Sequence, residues 1–112
     1  MTTDSGVVPS QHGQLQESLQ TLSKYLELAL DEGECVVLVR HGAEVCAVYI
    51  GDPTGAEDDL AGHGTIAVAL ADEVLDLTAA GANQITIGDQ TYRFIRSFTH
   101  IADRGAVVFT PA

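Results

Sequence analysis

At 112 residues the chain has room for one compact domain, and an apolar content of 46% with 5% aromatics and no Trp requires an aliphatic core. Sixteen acids against five bases (Lys24, Arg40, Arg93, Arg96, Arg104) leave a net charge of −11, a field that repels nucleic acid and anionic lipid and favours basic partners. Two cysteines exclude a disulfide scaffold, and no run reaches the roughly 18 apolar residues of a membrane span, so a cytoplasmic protein with reduced thiols is expected.

Met1–Gly13 has neither the basic nor the apolar region of a signal peptide. Residues 1–10 are expected to form a disordered polar tail and residues 11–112 a single folded domain. Gln14–Glu32 carries Leu15, Leu19, Leu22, Leu26, Ala29 and Leu30, a spacing of alternating fours and threes that draws one apolar stripe along a helix. Gly33 is placed to end it from a left-handed C′ position.

Glu34–Gly51, ECVVLVRHGAEVCAVYIG, reads as two apolar strands around a short polar tip. A two-residue tip at Gly42-Ala43 sets Cys35 against Ile50, Val37 against Val48 and Val39 against Cys46, one wholly apolar face to seat the first helix. Val36, Leu38, Ala47 and Tyr49 then fall on the other face, with Arg40 and Val45 near the tip. That second face needs a cover, either the later helix or a second copy of the chain.

Asp52–Gly64 is rich in Gly, Pro and acids, with Leu60 its one large apolar residue, and reads as a loop. Thr65–Ala80 reads as a second helix, with Ile66, Leu70, Val74 and Leu77 in line and Asp72, Glu73 and Asp76 opposite. Gln84–Ile87 and Thr91–Phe98 flank a turn at Gly88-Asp89-Gln90. Asp103-Arg104-Gly105 turns the chain into a last strand, Ala106–Thr110. Core candidates here are Ile85, Ile87, Tyr92, Phe94 and Phe98. The fold class expected is α+β, two helices packed on an antiparallel sheet in the order α-β-β-α-β-β-β.

Several short patterns carry possible chemistry. Val36–Glu44, VVLVRHGAE, resembles the RHG motif of histidine phosphatases, which implies phosphate binding by Arg40 and phosphorylation of His41. Here Val45–Ile50 reads as a returning strand, which puts Arg40-His41 at a hairpin tip. A longer stretch, Leu22–Ile50, resembles the N-terminal half of Phd/YefM-type antitoxins on Leu22, Ser23, Leu26, Gly33, Glu34, Arg40, Gly42, Ala47 and Ile50. That resemblance covers about 29 of the 112 residues. It implies a dimer that binds operator DNA through its N-terminal region and a toxin through its C-terminal segment.

The acidic loop offers Asp52, Glu57, Asp58, Asp59 and His63 as oxygen-rich ligands, without the alternating ligands of a calcium loop. Ser97, His100 and Asp103 do not form a triad on an extended strand, where residues three apart point to opposite faces. The same alternation separates Arg93 from Arg96. No pattern brings nucleophile, base and orienting group together, so no catalytic residue, metal or cofactor is assigned. The leading expectation is a small acidic, non-enzymatic protein-binding module of adaptor or chaperone-like kind. It is expected to be a homodimer contacting its partners through Val36, Leu38, Ala47, Tyr49, Arg40 and His41, without nucleic acid or membrane. An antitoxin-like regulator is the alternative, and an RHG-type phosphohydrolase the third.

Overall fold

The structure is a computed structural model that describes residues 7–55, 60–101 and 103–112, with side chains of the first helix described from Glu17 onward. Helix α1 spans Val7–Glu32. Strands β1 (Cys35–His41), β2 (Val45–Gly51) and β3 (Ala61–Ala67) follow. Helix α2 (Val68–Leu77) then leads to β4 (Gly81–Ile87), β5 (Gln90–Ile101) and β6 (Arg104–Pro111). The six strands form one antiparallel sheet in the order β3-β2-β1-β6-β5-β4. No helix is long and apolar enough to cross a membrane, among the described residues.

The class and the two helices agree with the sequence reading, but the order is α-β-β-β-α-β-β-β. The additional strand is β3, AGHGTIA, from the stretch expected to be loop. Only Ile66 among its side chains packs on the core, so main-chain pairing to β2 holds it and its composition hides it. The second helix consequently begins at Val68 instead of Thr65. Of the expected N-terminal tail, residues 1–6 lie outside the described residues and Val7–Ser10 belong to α1.

Gly33 ends α1 as its sequence position implies, at φ +67°, with Glu34 N–H donating to the Ala29 carbonyl at 2.8 Å. The β1–β2 hairpin departs from expectation by one residue. Its loop is Gly42–Glu44, with Gly42 at φ +81°, and the pairs are Val36–Ile50, Leu38–Val48 and Arg40–Cys46. One residue of slip exchanges the faces of one strand relative to the other. Val36 and Leu38 therefore join Cys46, Val48 and Ile50 beneath the helices. Cys35, Val37, Val39, Ala47 and Tyr49 face the other way.

Both helices cover the same face. Leu22, Leu26 and Ala29 of α1 and Ala71 and Val74 of α2 share one cluster with Val36, Val48, Phe94 and Phe109. Phe94 and Phe109 meet edge to face at 5.7 Å between ring centroids. Among the described residues, the opposite face carries no helix. Its strip of Val37, Val39, Ala106 and Val108 is buried among Cys35, Tyr49, Ile101 and Leu60.

Candidate binding groove

Two helices do not span the whole face. Helix α2 is ten residues long, whereas β5 has twelve residues, and along it Tyr92, Phe94, Arg96, Phe98 and His100 alternate onto the helix-bearing side. Tyr92 and Phe94 are buried, but Phe98 is 63% exposed. Between α2 and the β5–β6 hairpin lies a hollow of about 400 Å³. Leu38 and Val107 line it from the sheet, Ala71 and Leu75 from α2, and Phe98 from β5.

Two contacts set the position of the α2 wall. At its N-terminus, where no side chain caps the helix, Val68 N–H donates to the Glu44 carbonyl in the β1–β2 loop at 2.8 Å. At its C-terminus Arg96 donates to the carbonyls of Leu75 and Thr78, each at 2.9 Å, and to the Thr78 hydroxyl at 2.8 Å. The helix has no base of its own in its last turn, so Arg96 supplies the positive charge that its carbonyl end favours. The Arg96 guanidinium carbon also sits 5.6 Å from the Phe98 ring centroid and so stacks on one side of the exposed ring.

The rim is polar. Arg40 donates to Asp72 at 3.3 Å, with both side chains more than half exposed, a pair that contributes little to stability in water. Asp72, Glu73 and Asp76 make α2 acidic, with no base along its length. Cys46 also lines the hollow; burial pushes its thiol up, and the neighbouring Arg40 pulls in the opposite direction without cancelling that. A protonated thiol is a poor nucleophile.

The sequence-selected residues are split between regions. Val36 is fully buried and Leu38 nearly so, both under the helices, and Arg40 reaches Asp72 on that side. Ala47 and Tyr49 lie on the helix-free face, so the expectation that these four apolar residues share one face is corrected by the register. The His41 Nδ1 accepts from Arg104 at 2.9 Å. Strand alternation therefore parts His41 from Arg40, and the RHG residues do not converge.

The Asp52 carboxylate accepts from the Thr54 N–H at 2.9 Å and the Thr54 hydroxyl at 2.6 Å, which holds it below the usual carboxylate range and closes a turn. Glu57, Asp58 and Asp59 lie outside the described residues. No group of three potential metal-ligating side chains occurs among the described residues. Three of the arginines do not gather on one surface: Arg93 pairs with Gln84 on the helix-free side, Arg96 is drawn under α2, and Arg104 lies at the β5–β6 turn.

Leu75 lines the groove without a sequence signal for that place, and Phe98, expected in the core, is exposed beside it. Alternation places Phe98 on the correct face, but nothing in it says where the covering helix stops. No family model matches the chain, and no curated protein or solved structure matches it either.

Proposed function

We propose that this chain is a non-catalytic protein-binding module whose groove between α2 and the β5–β6 hairpin receives the apolar side of a basic segment from another protein. The observation that carries the reading is Phe98, a large aromatic side chain left 63% exposed beside an apolar hollow that the two helices leave open. Exposed aromatics at the edge of a hollow are suited to anchoring a partner. Charge defines the partner's other side: Asp72 stands at the groove, Glu73 and Asp76 lie elsewhere on the same helix, and the molecule carries −11 overall. An amphipathic helix with leucine-like residues on one face and lysine or arginine on the other meets both requirements, and would complete the cover of the sheet.

The test is a fluorescence titration at low salt with a labelled amphipathic peptide of leucine and lysine, compared with a leucine–glutamate peptide of the same pattern. The lysine peptide should bind and the glutamate peptide should not. Phe98→Ser, at an exposed position, should weaken the lysine peptide at least tenfold while leaving the circular dichroism unchanged. Equal binding of both peptides, or binding indifferent to Phe98→Ser, rejects the groove as the site.

A further inference from the structure

The open sheet has two edges, and they are built differently. At one edge, β3 pairs with β2 through a register shift between Ala47 and Tyr49, and Gly64 sits at φ +102°. A bulged, glycine-kinked edge presents no regular row of donors and acceptors. At the other edge β4 pairs with β5 without interruption from Gly81 to Ile87. Its sequence, GANQITI, contains no charged residue and no proline, in a chain where charged residues make up 19%. Within this strand the charge, proline and bulge that ordinarily protect an exposed edge are missing.

The direction of the free groups follows from one hydrogen bond. Ala112 N–H donates to the Arg93 carbonyl at 2.9 Å, so the polar groups of Arg93 point toward β6. Within an antiparallel strand a residue's N–H and C=O point to the same side. Gln84, which is opposite Arg93, is therefore not bonded to β5 through its backbone, and its N–H and C=O point away from the sheet. By alternation the same holds for Ala82 and Thr86. All three residues are exposed.

We infer that β4 is a self-association edge, pairing antiparallel with β4 of a second copy about a two-fold axis at Gln84. In that register Gln84 lies opposite its own symmetry mate and Ala82 opposite the partner copy's Thr86, so every outward group of the three residues finds a partner. No other antiparallel self-register pairs all three. The absence of charge selects the occupant. Two copies of a −11 chain can approach along a strand that places no acid against an acid, whereas a basic peptide gains nothing from a neutral edge. Side chains reinforce the centre. Arg93 Nε donates to Gln84 Oε1 at 3.1 Å, which leaves the Gln84 amide N–H groups for its mate. The bulged β3 edges then end the twelve-stranded sheet, so the assembly stops at two copies.

Sedimentation velocity on the full chain across a wide concentration range is the test, with two variants. Gln84→Lys puts like charges directly opposite each other across the axis, at an exposed position. Thr86→Pro removes an outward N–H that no bond to β5 uses, a placement proline tolerates on an edge strand. The wild type should shift from monomer to dimer as concentration rises, and each variant should weaken that dimer at least tenfold with wild-type circular dichroism. A wild type that stays monomeric overturns the inference, as do assemblies larger than two. So does a dimer that survives in the variant that retains its fold. A dimer lost in Phe98→Ser but kept in Gln84→Lys would place the second copy in the groove and also overturn it.

Discussion

Arg96 on β5 and Thr78 at the end of α2 form the contact that fixes the groove's helical wall, with one guanidinium nitrogen donating to both the carbonyl and the hydroxyl of Thr78. The same nitrogen takes the Leu75 carbonyl, while Arg96 Nε is buried with no partner among the described residues. Removing the guanidinium but keeping an apolar stem, as in Arg96→Met, takes its donor from the Thr78 carbonyl and leaves the Leu75 carbonyl with only the Thr78 N–H at 3.4 Å, and should cost about 2 kcal/mol. For a domain of this size that lowers the melting temperature by roughly 10 °C. Thr78→Val should cost about half as much, since only its hydroxyl contacts are lost. Thermal denaturation followed by circular dichroism reads both. An Arg96→Met protein that melts with the wild type would mean that the cap adds nothing.

Tyr92 donates its hydroxyl to Glu27 and so ties β5 to α1. The hydrogen bond to Glu27 raises the phenol above its ordinary range, and burial adds to the shift. A group whose folded pKa lies above its unfolded value contributes stability below the unfolded pKa and loses it as pH rises through the folded one. The contribution should therefore be present at neutral pH and disappear from about pH 10 upward. Tyr92→Phe should be less stable than wild type at pH 8, and that gap should be narrower at pH 11. Urea unfolding midpoints at the two values test this, with Tyr25, Tyr49 and Lys24 common to both proteins. A constant gap would show that the phenol proton plays no part.

The cysteines report on the hairpin register. Cys35 pairs with Gly51 and Cys46 with Arg40, an offset of five residues, or roughly 17 Å along the strands, and the thiols lie on opposite faces. That is beyond disulfide reach. Both are free thiols in the structure. Alkylation without reductant should add two groups to the unfolded chain. In the folded chain half-buried Cys35 should react well before buried Cys46, whose thiol is raised by burial. A single intramolecular disulfide in the intact mass would refute the pairing.

How far the fold was legible depends on which signal each element carried. The α1 stripe of Leu22, Leu26 and Ala29 and its Gly33 stop are strong local patterns, and the structure contains both. The alternation through Tyr92 and Phe94 likewise places buried residues correctly. The hairpin register was not legible, because β1 is apolar on both faces and either parity gives an acceptable helix seat. Only the tip length decides between them, and Gly42-Ala43 and Gly42–Glu44 are both chemically reasonable tips. Strand β3 was hidden because glycine and a single large apolar residue resemble a loop. The groove was illegible for a tertiary reason: it exists because α2 stops short of Phe98, and no pattern local to Phe98 records that.

Leu38→Asp separates the two registers most sharply. If Leu38 lay on a free hairpin face, the charge would break a dimer and leave the fold intact. In the structure Leu38 is 7% exposed, opposite Val48 under the helices and at the floor of the groove. Arg40 beside the groove is already paired with Asp72, and burying a carboxylate at Leu38 costs several kcal/mol, a large part of the stability of a small domain. Leu38→Asp should therefore lose cooperative thermal unfolding at neutral pH. Leu38→Ala should remain folded at a cost of about 2–5 kcal/mol. Val45→Asp, at the 38%-exposed start of β2, should lie close to wild type and serves as the surface control. A Leu38→Asp protein with wild-type circular dichroism and melting would return Leu38 to the surface and reinstate the two-residue tip.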